Sequence, residues 1–143
     1  MQTLKYPATR YHTQEPPDLA ARGERERLSA PGLKAFFNIM GQWKVRDEDA
    51  RALLGGVSNG PFYEMKRNPD RLLEPDRLTR ISYLIGIYKG LRILHSDRVA
   101  NEWVHLPNRN PIFAGQTPLA YMSRGGLPAM QIVRRLVDAR RAG

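Results

Sequence analysis

Asp76-Arg77-Leu78-Thr79-Arg80-Ile81-Ser82-Tyr83-Leu84-Ile85-Gly86-Ile87-Tyr88-Lys89-Gly90-Leu91-Arg92-Ile93-Leu94 is the stretch whose reading decides the fold. Leu78, Ile81, Leu84, Ile85, Tyr88 and Leu91 recur at steps of three and four, the spacing that gathers side chains on one face of a helix. Tyr83, Ile87, Ile93 and Leu94 widen the apolar surface past a single stripe, so this helix must be covered on several sides. Pro75 suits the first helical position, where its fixed φ is already correct and its missing N–H has no partner to lose. Asp76 sets a carboxylate at the positive end of the helix dipole. Gly86 and Gly90 lie four residues apart and leave one side of the backbone bare, at about 1 kcal/mol of helix propensity each relative to Ala. The pattern predicts close approach by another helix, from this chain or from a second copy.

Around that helix, 143 residues with 41% hydrophobic content suffice for one compact domain or two small ones. No run of about 18 apolar residues offers a membrane span, and no charged-then-apolar start reads as a signal peptide, so the expectation is a cytoplasmic protein with no membrane contact. The absence of cysteine excludes disulfides and thiolate zinc sites, and His12, His95 and His105 are too scattered to form a ligand set. No cofactor and no structural metal are expected. The net charge of +9, from 23 basic and 14 acidic residues, points to an acidic partner, of which nucleic acid is the commonest. Residues 98–143 carry 7 of the basic residues against 2 acidic ones, more than half of the excess. A solvated helix face is the plainer reading of such a run.

Residues 1–29 hold Pro7, Pro16 and Pro17, many polar groups and few large apolar ones, and read as a flexible arm whose Tyr6, Tyr11 and Leu19 either dock or stay free. Ser29 then caps a helix with Pro31 in its early turn and Leu33, Phe36, Phe37, Met40 and Trp43 in helical repeat, ending near Gly41 to Lys44. Next comes Asp47-Glu48-Asp49-Ala50-Arg51-Ala52-Leu53-Leu54-Gly55-Gly56-Val57-Ser58-Asn59-Gly60-Pro61-Phe62-Tyr63-Glu64-Met65-Lys66, which reads as helix, tight turn, helix. The acidic triplet suits a helix start, Gly55 or Gly56 supplies the positive φ that ends the first helix, and Ser58 or Asn59 caps the second. In a helix-turn-helix the second helix enters the major groove, which makes Ser58, Asn59, Phe62, Tyr63 and Lys66 the DNA-facing candidates, with Arg67 and Arg71 for phosphates. A plain helical hairpin uses the same small residues and stays open as the alternative. Pro61 disfavours helical geometry at Gly60, predicting a late and short second helix. No side chain before Lys66 can fork onto guanine, so modest affinity per copy and a need for dimerisation follow.

After the central helix, proline and glycine punctuate shorter helices. Ser96 caps one running through Val99, Trp103 and Val104 to the stop at Pro107. Asn108-Arg109-Asn110-Pro111 is a loop, and Thr117-Pro118 starts a helix that Gly125-Gly126 closes. Pro128 opens the last helix, with Met130, Val133, Leu136 and Val137 on an apolar face and Arg134, Arg135, Arg140 and Arg141 on a basic one.

The run from Leu84-Ile85-Gly86-Ile87-Tyr88-Lys89 through Trp103, Pro107-Asn108, Gly115, Thr117-Pro118-Leu119 and Gly125-Gly126-Leu127 to Val133-Arg134-Arg135-Leu136 resembles the antitoxin domain of Xre/MbcA/ParS-type proteins, partners of RES-domain toxins. Leu53-Leu54-Gly55-Gly56 followed by Ser58 is similar to that family's N-terminal Xre-like domain; Asn59-Gly60-Pro61 departs from its more basic pattern. The resemblance implies an all-α, non-enzymatic, dimeric antitoxin. Its expected layout is an arm (1–29), a helix-turn-helix domain (30–73), a central helix (74–95) and a toxin-binding domain (96–143). It implies neutralisation of a RES toxin that degrades NAD, and autoregulation through operator DNA. Asn108, Arg109, Arg134, Arg135, Asp138, Arg140, Arg141 and Gly143 are the toxin-facing candidates, with the last helix lying across the toxin's pocket. The plainer alternative for these arginines is a solvated face with favourable charge at a helix C-terminus. A stand-alone helix-turn-helix regulator is the competing function. Catalysis finds no motif: no nucleophile elbow, no paired carboxylates in an apolar setting and no phosphate-cradling loop after a strand.

Overall fold

The computed structural model describes residues 17–142, in which every regular element is helical. The elements are α1 (Arg22–Gln42), α2 (Asp47–Leu53), α3 (Asn59–Arg67), α4 (Pro75–Leu94), α5 (Asp97–Glu102) and α6 (Pro118–Ala142), with short 3₁₀ turns at Trp103–His105 and Pro111–Phe113. The all-α expectation stands.

α4 is the axis. Pro75 occupies its first turn, and Leu78, Ile81, Leu84, Ile87 and Leu91 are buried along it. α1 and α6 cover it from two sides. The bare side chain-free stripe is used from within the chain: a Cβ on Gly86 would overlap the Arg134 guanidinium, and one on Gly90 would overlap a Val137 methyl. Residue numbers rise together along this contact, so the second limb of α6 runs in the same direction as α4. α6 is broken at Gly126 (φ 66°, ψ −146°), as the Gly125-Gly126 pair predicts, and Pro128 stands in the first turn after the break.

α1 corrects the expected helix start. It begins at Arg22, and Ser29 lies inside it with Pro31 two residues on. The segment Arg22–Arg27 is closed by ion pairs along the helix face, Arg22 to Glu26 at 2.8 Å and Glu24 to Arg27 at 2.6 Å. Ser29 is buried instead of capping. Its hydroxyl donates to the Arg25 carbonyl at 2.5 Å and accepts from the Leu73 N–H at 2.9 Å, tying α1 to the chain entering α4. Tyr6 and Tyr11 of the expected arm lie outside the described residues, while Leu19 packs on the edge of the core.

α1 ends with Lys44 at φ 52°, Lys44 N–H bonding the Gly41 carbonyl and Val45 N–H that of Met40, the paired closure that caps helix C-termini. α2 ends in the same way through Gly55 (φ 100°), and there glycine fits without strain. One continuous cluster of buried apolar side chains runs from Leu33 and Phe36 through Leu53, Phe62, Leu84 and Leu91 to Val133 and Val137. Both halves of the described residues are built on it.

Candidate functional site

The α2–turn–α3 unit forms as expected, with one difference at its start. α3 begins at Asn59, so the expected late start is not seen, although the helix is short at 9 residues. Pro61 is tolerated because it falls in the first turn, where backbone N–H groups have no intrahelical acceptor. Ser58 and Asn59 are exposed at the N-terminus, and Lys66 is exposed near the other end.

Phe62 is a correction to the DNA-facing set. It is 1% exposed and packs edge-to-face on Phe37 with ring centroids 5.4 Å apart, so it holds α3 onto α1 and cannot reach a base. Tyr63 is 49% exposed and donates its hydroxyl to the Asp47 carboxylate at 3.1 Å. That hydrogen bond, and then the carboxylate's charge, raises the phenol pKa above its ordinary value. Arg67 is exposed and pairs with Glu64 at 2.6 Å; Arg71 is half-buried beyond the helix. Residues 46–71 hold 5 basic and 5 acidic side chains, so the excess positive charge of the chain lies elsewhere.

Arg80, which sequence reasoning missed, stands between the two halves. Its side chain is 15% exposed; Nε meets Asp76 at 2.9 Å, and one terminal nitrogen points at the Leu53 carbonyl 3.5 Å away, at the negative end of α2. A Cβ on Gly55 would lie 3.3 Å from its Nε, and one on Gly126 would lie 3.6 Å from its other terminal nitrogen. The helix-closing glycine of α2 and the breaking glycine of α6 thus flank one guanidinium. Asp76 four residues earlier was the available signal.

In the C-terminal half, Ser96 caps α5 by accepting from Val99 N–H, and Thr117 caps α6 by accepting from Ala120 N–H at 3.1 Å, both as expected. Trp103 packs edge-to-face on Phe113, and Phe113 on Tyr121, centroids 6.2 and 5.2 Å apart. Asn108 accepts from Asn110 N–H at 2.9 Å and shapes the loop, leaving Arg109 exposed.

The basic face of α6 divides in two. Arg134 folds back onto α4: Nε pairs with Asp138 at 3.0 Å, and a terminal nitrogen reaches the Ser82 carbonyl at 3.4 Å. Arg141 lays its methylene stem beside Gly90 and meets Asp138 at 3.9 Å. Arg135 and Arg140 point to solvent, and Gly143 lies outside the described residues. Among the described residues no group of acidic and histidine side chains is arranged to hold a metal ion, and no helix is long and apolar enough to cross a membrane.

Among the described residues the chain is all-helical, and its C-terminal half leaves Arg109, Arg135 and Arg140 exposed beside a parallel helix pair. Residues 90–143 match the family described as the antitoxin Xre/MbcA/ParS C-terminal toxin-binding domain. Over residues 90–143 the chain therefore carries the toxin-binding domain of the Xre/MbcA/ParS antitoxin family. It is 33% identical over 112 residues to the uncharacterized protein y4oB of Sinorhizobium fredii (strain NBRC 101917 / NGR234), an alignment covering 78% of this chain and 84% of that protein. No solved structure matches. The toxin-binding domain gives the protein an antitoxin role in a toxin–antitoxin system, with a toxin as partner.

Proposed function

We propose that this antitoxin neutralises a RES-domain toxin that degrades NAD, by covering the toxin's active site, and that as a homodimer in the cytoplasm it represses its own operon through α2 and α3. The reading is carried by the toxin-binding match over residues 90–143, and the RES partner by the ordered motif from Leu84 to Leu136. Residues 30–73 serve as the operator-reading unit and 96–143 as the toxin-binding unit, at either end of the central helix. Ser58, Asn59, Tyr63, Lys66, Arg67 and Arg71 make the DNA contact. Asn108, Arg109, Arg135 and Arg140 face the toxin, Arg134, Asp138 and Arg141 set the helix that presents them, and Gly143 completes the toxin-facing set. Arginine favours this use because its planar fork meets carboxylates two bonds at a time. The protein itself carries out no catalysis.

Cellular NAD, followed while the partner gene is expressed with and without this chain, tests the proposal. Collapse with the toxin alone and recovery on co-expression are expected; unchanged NAD in both refutes the RES assignment. A stand-alone helix-turn-helix regulator instead predicts operator binding with no effect on any toxin.

A further inference from the structure

We infer that Ile93 is the apolar anchor of the toxin contact, an inference that rests on the toxin-binding reading of residues 90–143. Four of the six exposed large hydrophobic residues described, Ile93, Leu106, Ile112 and Ile132, fall within that stretch, and Ile93 is the most exposed at 64%. Its position on α4 explains why it is special. Gly86, Gly90 and Ile93 are spaced by four and three residues and share one helix face. α6 takes the first two places on that face, with Arg134 over Gly86, and Val137 and Arg141 over Gly90. The third place holds a branched apolar side chain that α6, described as far as Ala142, leaves open to solvent.

Charge sets the kind of partner. Lys89, one turn before Ile93 on the same side, is exposed, and Arg141 of α6 lies over Gly90, three residues before Ile93. An apolar anchor with Lys89 on its own helix face and Arg141 beside Gly90 fits a toxin surface with an apolar pocket edged by carboxylates. The anchor acts through desolvation in the bound state, whereas the rim cations act at longer range and are screened by salt.

The experiment measures equilibrium binding and dissociation rate between the full-length chain and the purified protein encoded by its paired toxin gene. The variants are Ile93→Asn, Ile93→Ala, Ile93→Leu and, as a control outside the matched region, Leu72→Asn. Ile93→Asn leaves the net charge unchanged. Ile93→Asn is expected to weaken binding by about 30-fold or more, mainly through faster dissociation and at both low and high salt. Ile93→Leu and Leu72→Asn should stay within about threefold of the original chain by the same measure. Binding of Ile93→Asn and Ile93→Ala within about threefold overturns the inference. Failure of the unaltered chain to bind overturns the toxin reading itself. Because Ile93 is exposed, all variants should unfold at the temperature of the original chain, and Ile93→Ala decides the question if Ile93→Asn alone is destabilised.

Discussion

Gly86 and Gly90 occupy equivalent places under α6, yet alanine should have different effects at the two. At either one, replacing glycine inside a helix gains about 1 kcal/mol of propensity. At Gly90 the new Cβ collides with a methyl of Val137, which is 1% exposed and branched at its own Cβ, so neither side can yield without moving the helix pair. Overpacking of that kind costs about 1–3 kcal/mol, leaving a net loss of about 0–2 kcal/mol. At Gly86 the obstruction is the guanidinium of Arg134, whose side chain is 32% exposed and can swing outward at the loss of its 3.4 Å contact with the Ser82 carbonyl and of its partly exposed 3.0 Å pairing with Asp138, worth about 0–1 kcal/mol. There the gain in propensity offsets the loss or exceeds it. Gly90→Ala should therefore lower Tm by up to roughly 6 °C while Gly86→Ala leaves it level or raises it, as read by calorimetry with denaturant titration alongside. Val137→Ala should reverse the sign of the Gly90→Ala effect, because it removes the colliding methyl. Stabilisation by Gly90→Ala with Val137 intact would refute the close packing of α6 on α4.

Two further outcomes follow from single hydrogen bonds. Ser29→Ala deprives the buried Leu73 N–H of its acceptor and should cost about 1–3 kcal/mol, measured by denaturant unfolding; a loss within error would show that the bond is dispensable. Asp47→Asn should return the Tyr63 phenol toward its ordinary pKa, seen as an earlier tyrosinate absorbance change in the difference titration. The folded-state pKa is raised, so the stabilisation is fully present below the unfolded value of about 10 and fades as pH rises through the folded one. The stability gap between the original chain and Asp47→Asn should narrow over that alkaline window, and a gap independent of pH would contradict the pairing.

Much of the fold was legible because it rests on local rules. The period of residues 78–91, the glycine at positive φ after α2, the caps at Ser96 and Thr117 and the break at Gly126 are each fixed by a few neighbouring residues. The misread positions depend on distant partners. Ser29 has the chemistry of a cap, but its acceptor role is claimed by Leu73, 44 residues away. Phe62 sits in the first turn of α3, where a recognition helix would meet DNA, and only the position of Phe37 decides that it faces inward. Ile93 continues the apolar pattern of α4, so its spacing predicted burial; where α6 stops covering that face is a matter of tertiary geometry. Among the candidate cations the sequence showed charge and could not show that Arg134 is committed to α4 while Arg135 is free.

The continuous core also determines how loss of function must be read at each end. Phe62 belongs to the same buried cluster as Val133 and Val137, and Arg80 links the close of α2 to the break in α6. Truncating a buried phenylalanine costs about 3–5 kcal/mol, a large share of the about 5–15 kcal/mol that holds a typical domain folded. A Phe62→Ala chain would lose toxin binding and the proposed operator binding together without either contact being touched. Exposed positions are free of that ambiguity: Asn59 and Lys66 at one end and Ile93 and Arg135 at the other carry little of the core. A selective defect from one of those pairs is what would separate toxin binding from the proposed operator binding on a single continuous core.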